Sequence, residues 1–228
     1  MAKNSYESSM TDLMISLALI FMLLLAAVML KLNNQAGELT QTKNELITQL
    51  TEVLSKTGNI EIVADKNDPL SLVIVLGESS SALKFEKGKY SLGNSDKVFL
   101  NKLMPQILNI LHDEKYRSSI DSLKIEGYTD NDPYVGSNNY SNVELSQARA
   151  LEVLNYTRKY ALQYDNDVRT FFIDKASING KGDIPQYWIK KTDGSGNCDK
   201  EKSRRVEIKI KIKSKDEQRL AKNLNSNE

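Results

Sequence analysis

Three hydrophobic patterns follow one another along the chain. The first is continuous: Leu13 to Leu30 (LMISLALIFMLLLAAVML) carries no charge and a single hydroxyl, Ser16. At about 1.5 Å per residue, such a run approaches the roughly 30 Å hydrocarbon core of a bilayer. A helix covering a soluble core would show a polar face at every third or fourth position; none is present here. The pattern predicts a transmembrane helix over 12–30 after a leading stretch 1–11. That leading stretch mixes Lys3 with Glu7, and Asp12 follows it. It is not the basic n-region of a leader, and no small-x-small cleavage site or lipid-modified cysteine follows. A retained anchor in the lipid bilayer is therefore expected.

The second pattern repeats every seven positions. Leu32, Leu39, Leu46 and Val53 recur across 31–57, with Leu50 and Leu54 close by and polar residues between. This spacing predicts a helical stem, either pairing with a second copy as a parallel dimer or packing on the domain that follows. The third pattern is mixed. Leu70–Leu76 (LSLVIVL) predicts a buried strand, Ser95–His112 a helix containing Pro105, and Leu123–Tyr128 a second strand. A long helix over 141–164 opens at Ser141-x-x-Glu144, the pattern of a capping box. Phe171–Ile178 predicts a third strand. Val206–Lys213 (VEIKIKIK) alternates strictly, as does a strand with one face on a core and one in water. The fold class expected is α+β: a β-α-β-α-β-β sandwich over 58–213 with helices on one sheet face, then a polar tail over 214–228.

Charge and composition mainly exclude. The 31 basic and 30 acidic residues give a net charge of +1, which leaves no chain-wide basic footprint for nucleic acid. One cysteine and one histidine exclude a disulfide framework and a Cys/His zinc site within the chain. The sole histidine, His112, ends an amphipathic helix, and no nucleophile–base pair stands out. No enzyme and no cofactor are expected. Trp188 and Tyr187 sit in the loop 180–196 and are read as packed. Asp12 has two readings: a cap on the apolar helix, or an intramembrane acid that takes up and releases a proton or sodium ion. Ser16, one turn on, shares its helical face and offers an oxygen.

Several motifs occur together. Ile125-Glu126-Gly127-Tyr128-Thr129-Asp130 is followed by Asn142-Val143-Glu144-Leu145-Ser146-Gln147-Ala148-Arg149-Ala150, and later by Arg204-Arg205-Val206-Glu207-Ile208. Residues 70–213 thereby resemble the OmpA-like peptidoglycan-binding domain, with its G-[HY]-T-D strand end, N-x-x-L-S-x-x-R-A helix start and R-R-V-E-I final strand. The resemblance implies that Asp130 accepts from the ammonium of a diaminopimelate stem peptide while Arg149 forks onto its carboxylate. Asn142 adds an amide, and Thr129, beside Asp130, belongs to the same site. The loop after Asp130 departs from the porin's own, and Cys198 has no second cysteine to pair with.

The order of the parts carries a second resemblance. An acid-led helix (Thr11-Asp12-Leu13-Met14), a stem and an OmpA-like domain resemble the MotB class, the B subunits of ion-driven rotary motors. Membership implies that Asp12 carries H+ or Na+ and that the partner is a MotA- or ZorA-like A subunit in a pentameric ring around two B helices. It also implies an N-terminus in the cytoplasm and a domain in the periplasm, at the inner membrane. Within the class, the short leading stretch and the Ser9-Met10-Thr11-Asp12 opening are more similar to the ZorB subunits of Zorya anti-phage defence than to flagellar stators. A passive membrane-to-wall tether, with no ion flow, is the alternative of a different kind.

Overall fold

A computed structural model of the chain describes residues 2–57, 60–65, 67–76, 83, 85–134, 141–163, 165–192, 195–214 and 217; for 2–9, 34–40 and 187 it describes the backbone alone. Most of the predicted tail, part of the loop after Asp130 and the side chains of Leu39 and Tyr187 lie outside the described residues. The chain divides into two units, 1–42 and 43–228.

The described residues of the first unit are helical, the greater part of helix α1 (Ala2–Leu54). Within α1 the stretch Met10–Asn33 is 24 residues long with a mean hydropathy of 2.9, long and apolar enough to cross a membrane.

The second unit begins with the end of α1, ahead of the boundary at 58 that the strand pattern set. Leu46, Leu50 and Leu54 lie one turn apart and are almost wholly buried in the domain core. Lys43 Nζ reaches the carbonyl of Pro69 at 2.8 Å, and Lys115 pairs with Glu45 at 3.0 Å. Of the two arrangements expected for the stem, this stretch adopts the second. Leu46 is spent inside its own chain and is not free for a seam with a second copy.

A five-stranded sheet follows, in the order β1-β2-β5-β3-β4. Its strands are β1 (Glu61–Ala64), β2 (Ser71–Leu76), β3 (Ile120–Gly127), β4 (Ala176–Gly180) and β5 (Val206–Ile212). β3 and β4 are parallel, and the other neighbours are antiparallel. β5 keeps the predicted alternation: Val206, Ile208, Ile210 and Ile212 are buried, with Glu207, Lys209 and Lys211 half-buried between them. Helix α2 (Asn94–His112) supplies Leu100, Leu103, Ile107, Leu108 and Leu111 to the core and runs unbroken through Pro105. Helix α3 (Asn142–Tyr156) opens with the predicted capping box: Ser141 Oγ accepts from the Glu144 amide at 3.4 Å, and Glu144 accepts from the Ser141 amide at 2.5 Å.

Two expectations are corrected, and one strand is added. Phe171–Ile178 is not one strand: α4 (Asn166–Lys175) runs through its first half, and β4 starts only at Ala176. Asp165 caps α4 by accepting from the Val168 amide at 2.9 Å, and Val168 and Phe172, one turn apart, face the core while Ile173 is exposed. Helix geometry, rather than the local run of apolar residues, thus decides which side chains are buried. The helix predicted to reach 164 leaves regular α geometry at Tyr156 and widens into a π turn, Thr157–Ala161. The edge strand β1 was not predicted; four residues make too short a pattern. His112 is half-buried, its ring edge-on to Phe171 at 5.3 Å.

Candidate functional site

Three chain segments meet at one end of the sheet. β3 and β4 finish side by side at Gly127 and Gly180, and β5 begins beside them at Val206. The residues that prolong these strands are therefore neighbours, and main-chain bonds fasten them. Tyr128 N donates to Arg205 O at 2.9 Å, Thr129 N to Gly182 O at 3.0 Å and Lys181 N to Gly127 O at 2.9 Å.

Helix α3 lies hard against this end because two strand residues lack a side chain. A Cβ on Gly127 would stand 2.0 Å from the Ser146 carbonyl oxygen, and one on Gly180 would stand 2.5 Å from that of Val143. Ser146, fully buried, locks the approach: its hydroxyl donates to Val143 O at 2.6 Å and accepts from Gly182 N at 2.9 Å. This close packing carries Asn142 and Arg149 to the strand end that bears Thr129 and Asp130. All four sequence-predicted residues line one cavity of about 40 Å³.

The polar groups of the cavity are arranged in opposed pairs. Asp130, buried, accepts from Arg204 Nη1 at 2.6 Å and from the Asp132 amide at 3.1 Å. Asp132 sits between Lys200 (2.6 Å) and Lys87 (2.8 Å), and their ammonium groups hold its carboxyl down to about 2. Asn142 Nδ2 donates to Asp132 O at 3.0 Å. The Thr129 hydroxyl is buried with no hydrogen-bond partner among the described residues. An unpaired buried hydroxyl costs roughly 1–3 kcal/mol, and here it borders the cavity, where an incoming polar group can satisfy it.

Arg149, the residue expected to fork onto the carboxylate, is held by the backbone around it. It is wholly buried, and all three guanidinium nitrogens already donate: Nε to Lys89 O at 3.0 Å, Nη1 to Tyr128 O at 3.2 Å and Nη2 to Glu86 O at 3.2 Å. The guanidinium also lies 5.1 Å from the Phe85 ring centroid. Burial, seconded by the Arg204 charge and opposed by Asp130, brings it down to about 10, so it stays cationic at neutral pH. Only one hydrogen on each terminal nitrogen remains for a ligand. Arg204 is the freer guanidinium, with a partly exposed side chain that borders the cavity.

Sequence reasoning did not assign Arg204, Asp132, Lys87 or Lys200 to the site. Arg204 stood in the quoted Arg204-Arg205 pair, whose two members divide the work. Arg204 faces Asp130, whereas Arg205 lies 4.0 Å over the Tyr128 ring and bonds Glu207 at 2.6 Å. Tyr128 in turn donates to Glu126 at 2.9 Å, and burial, with the charges of Glu207 and Glu126, drives its phenol far up. Trp188 is half-buried and donates to Asp183 O at 2.8 Å, a packed residue as expected.

No family model matches the chain, and no curated protein matches it. Solved structures do. A MotB-like protein of Desulfovibrio vulgaris superposes with a TM-score of 0.53 at 17% identity, over 77% of this chain and 98% of that one. The domain has the fold of MotB periplasmic domains. One such MotB domain matches with a TM-score of 0.50 at 18% identity, over 77% of this chain and 79% of that one. A Helicobacter pylori MotB periplasmic fragment gives the same score and identity, over 77% of this chain and 93% of that one. These likenesses establish the fold; the α+β class expected from the sequence is the one observed.

In the first unit, Asp12 lies inside α1, well past its start at Ala2, and is not a helix cap. Its side chain is exposed along with the apolar residues that follow. Ser16 donates to the carbonyl of Leu13 at 2.9 Å. Its hydrogen is thus occupied, and its oxygen remains an acceptor.

Proposed function

We propose that this chain is the B subunit of an H+- or Na+-driven rotary motor of the inner membrane, held still by peptidoglycan. The observation that supports it best is one chain with two unlike ends: an apolar helix led by Asp12, and a domain with the MotB periplasmic fold whose cavity pairs Asp130 with Arg204. In this reading α1 crosses the membrane with its N-terminus in the cytoplasm, the domain lies in the periplasm, and two copies sit within a pentameric A-subunit ring.

At the wall, the Asp130–Arg204 pair acts as a stand-in for a zwitterion. A cavity of about 40 Å³ is far smaller than the roughly 300–1,000 Å³ of ordinary ligand clefts. A ligand enters by moving Arg204 off Asp130. The diaminopimelate ammonium then takes the place of the guanidinium on Asp130, and its carboxylate pairs with the displaced Arg204 and the spare hydrogens of Arg149. Every buried charge keeps a partner, which avoids the heavy penalty of an unpaired one.

In the membrane, Asp12 alternates between ion-loaded and ion-free forms against the ring. Each elementary charge that crosses gains about 2.3 kcal/mol per 100 mV. The likeness of the Ser9-Met10-Thr11-Asp12 opening to ZorB subunits favours a motor of Zorya-type anti-phage defence over a flagellar stator.

Two substitutions test the reading in a host that carries the neighbouring genes. Asp12→Asn is expected to assemble and bind wall while giving no protection against phage and no ion-dependent rotation. Asp130→Ala is expected to abolish co-sedimentation with peptidoglycan sacculi. Full protection by Asp12→Asn would make the chain a passive tether. Undiminished sedimentation of Asp130→Ala would remove the wall site.

A further inference from the structure

Asp132 holds an ammonium group on each of its oxygens: Lys87 Nζ lies 2.8 Å from Oδ2 and Lys200 Nζ 2.6 Å from Oδ1. The two lysines come from segments far apart in the chain, and each segment is fastened without help from Asp132. Lys87 stands in a turn closed by Lys89 N on Glu86 O at 3.0 Å, and Arg149 donates to the carbonyls at both ends of that turn. Lys200 opens the short helix α5 (Lys200–Ser203). Asp199 caps it by accepting from the Lys202 amide at 3.2 Å, and Ser203 Oγ accepts from the Ile189 amide at 3.0 Å. Two ammonium groups are thus brought to one point of the cavity rim from two fixed backbones.

Their charge is only half answered there. Two lysines on one carboxylate leave one positive charge over. Each ammonium carries three hydrogens, so donors remain on both after Asp132 is served. The whole cavity shows the same excess. Asp130 and Asp132 are its lining acids, whereas Lys87, Arg149 and Arg204 are lining cations and Lys200 joins them through Asp132. Four cations face two acids. A diaminopimelate side group brings one ammonium and one carboxylate, and leaves that excess as it was. A ligand with a further carboxylate reduces it.

We infer that Lys87 and Lys200 are specificity-determining residues of the wall site, which receive a second carboxylate of the stem peptide. The inference rests on the peptidoglycan reading, in which the carboxylate of the diaminopimelate side group goes to Arg204 and Arg149. The second carboxylate takes the spare ammonium hydrogens beside Asp132, through charge-assisted bonds. Two groups of a stem tetrapeptide can supply it: the α-carboxylate of the isoglutamate that precedes diaminopimelate, and the terminal carboxylate of the D-alanine that follows. Each belongs to a residue joined directly to the one that Asp130 holds. The backbone spacing is short on the protein side as well, since the Asp132 amide donates to the Asp130 carboxylate at 3.1 Å.

Calorimetry on the full chain in detergent micelles tests this with three probes: the free tetrapeptide, the same peptide amidated at isoglutamate, and the same peptide amidated at its D-alanine terminus. At least one amide is expected to bind roughly fivefold to tenfold more weakly than the free peptide, the size of two partly exposed ion pairs. The amide that loses affinity names the carboxylate. The double variant Lys87→Met, Lys200→Met should bind all three probes alike, and high salt should shrink the preference in the unsubstituted chain. Equal affinity of the three probes for the unsubstituted chain overturns the inference. So does a preference that survives in the double variant, because it would arise from the field of the remaining cations. Failure of all three probes to bind overturns the peptidoglycan reading itself.

Discussion

The same residue types have opposite surroundings in the two units. Leu17 and Leu24 of the apolar stretch are 64% and 60% exposed, whereas Leu50 and Leu72 of the domain are fully buried. The domain finds within its own chain the partners its apolar side chains need. The stretch Met10–Asn33 does not, and its burial has to come from lipid or from other chains. Burying one leucine side chain is worth roughly 1.5–3 kcal/mol, so a stretch of this composition does not remain in water. The contrast is broken most directly by paired truncations, read as unfolding of the domain in detergent. Leu50→Ala is expected to cost roughly 3–5 kcal/mol, because it leaves a cavity between α1 and the sheet-borne core. Leu24→Ala is expected to shift the same transition by less than about 0.5 kcal/mol. Equal losses would mean that the two units do not draw on separate sources of burial.

The charged groups of the Asp130 cavity follow the apolar ones of the core: they too find partners within the chain. Arg149 and Arg204 border one cavity but are committed to different degrees, and their substitution sharpens the comparison. Arg149→Ala removes three charge-assisted bonds to main-chain carbonyls and the packing on Phe85, a loss of roughly 2–4 kcal/mol in thermal or denaturant unfolding. Arg204→Ala removes one bond at the rim, the ion pair with the Asp130 carboxylate. It is expected to cost about 1 kcal/mol of stability while weakening stem-peptide binding at least tenfold. If Arg149→Ala unfolds no more readily than Arg204→Ala, the geometric division between a framework guanidinium and a ligand-facing one is wrong.

That division was not legible in the sequence, and the reason is physical. Patterns of short range were readable. The alternation of VEIKIKIK reports which face of β5 meets the core, and Ser141-x-x-Glu144 marks the start of α3 because both capping bonds span three residues. Even the gathering of Thr129, Asp130, Asn142 and Arg149 could be anticipated from the joint motif, although the need for Gly127 came only from the approach of Ser146. What Arg149 donates to, however, depends on carbonyls of Glu86 and Lys89, 63 and 60 positions away. The Lys200–Asp132 bond spans 68 positions and carries no local signature. Phe171-Phe172-Ile173 misled for the opposite reason. Three adjacent apolar residues look like a strand, yet in α4 only Phe172 of the three is fully buried, and the Asp165 cap determines the geometry.

The smallest effect concerns Asp132, whose partners are likewise all in-chain. Lys200 and then Lys87 lower its carboxyl to about 2, below the ordinary aspartate value of about 3.9. A carboxyl lowered on folding adds stability that is present above its unfolded value and is lost as pH falls through the folded one. The window is therefore roughly pH 4 to 2, and the contribution is slight because the two lysines are largely exposed. A carbon-detected NMR titration of the Asp132 carboxyl should give a midpoint near 2. Replacing both lysines with methionine should return it toward about 4, and high salt should move it part of the way by screening. A midpoint near 4 in the unsubstituted chain would show that the rim is not closed by Lys87 and Lys200. The cavity would then present a free Asp132 carboxylate beside Asp130, and an ammonium-bearing ligand would have two acids to choose between rather than one.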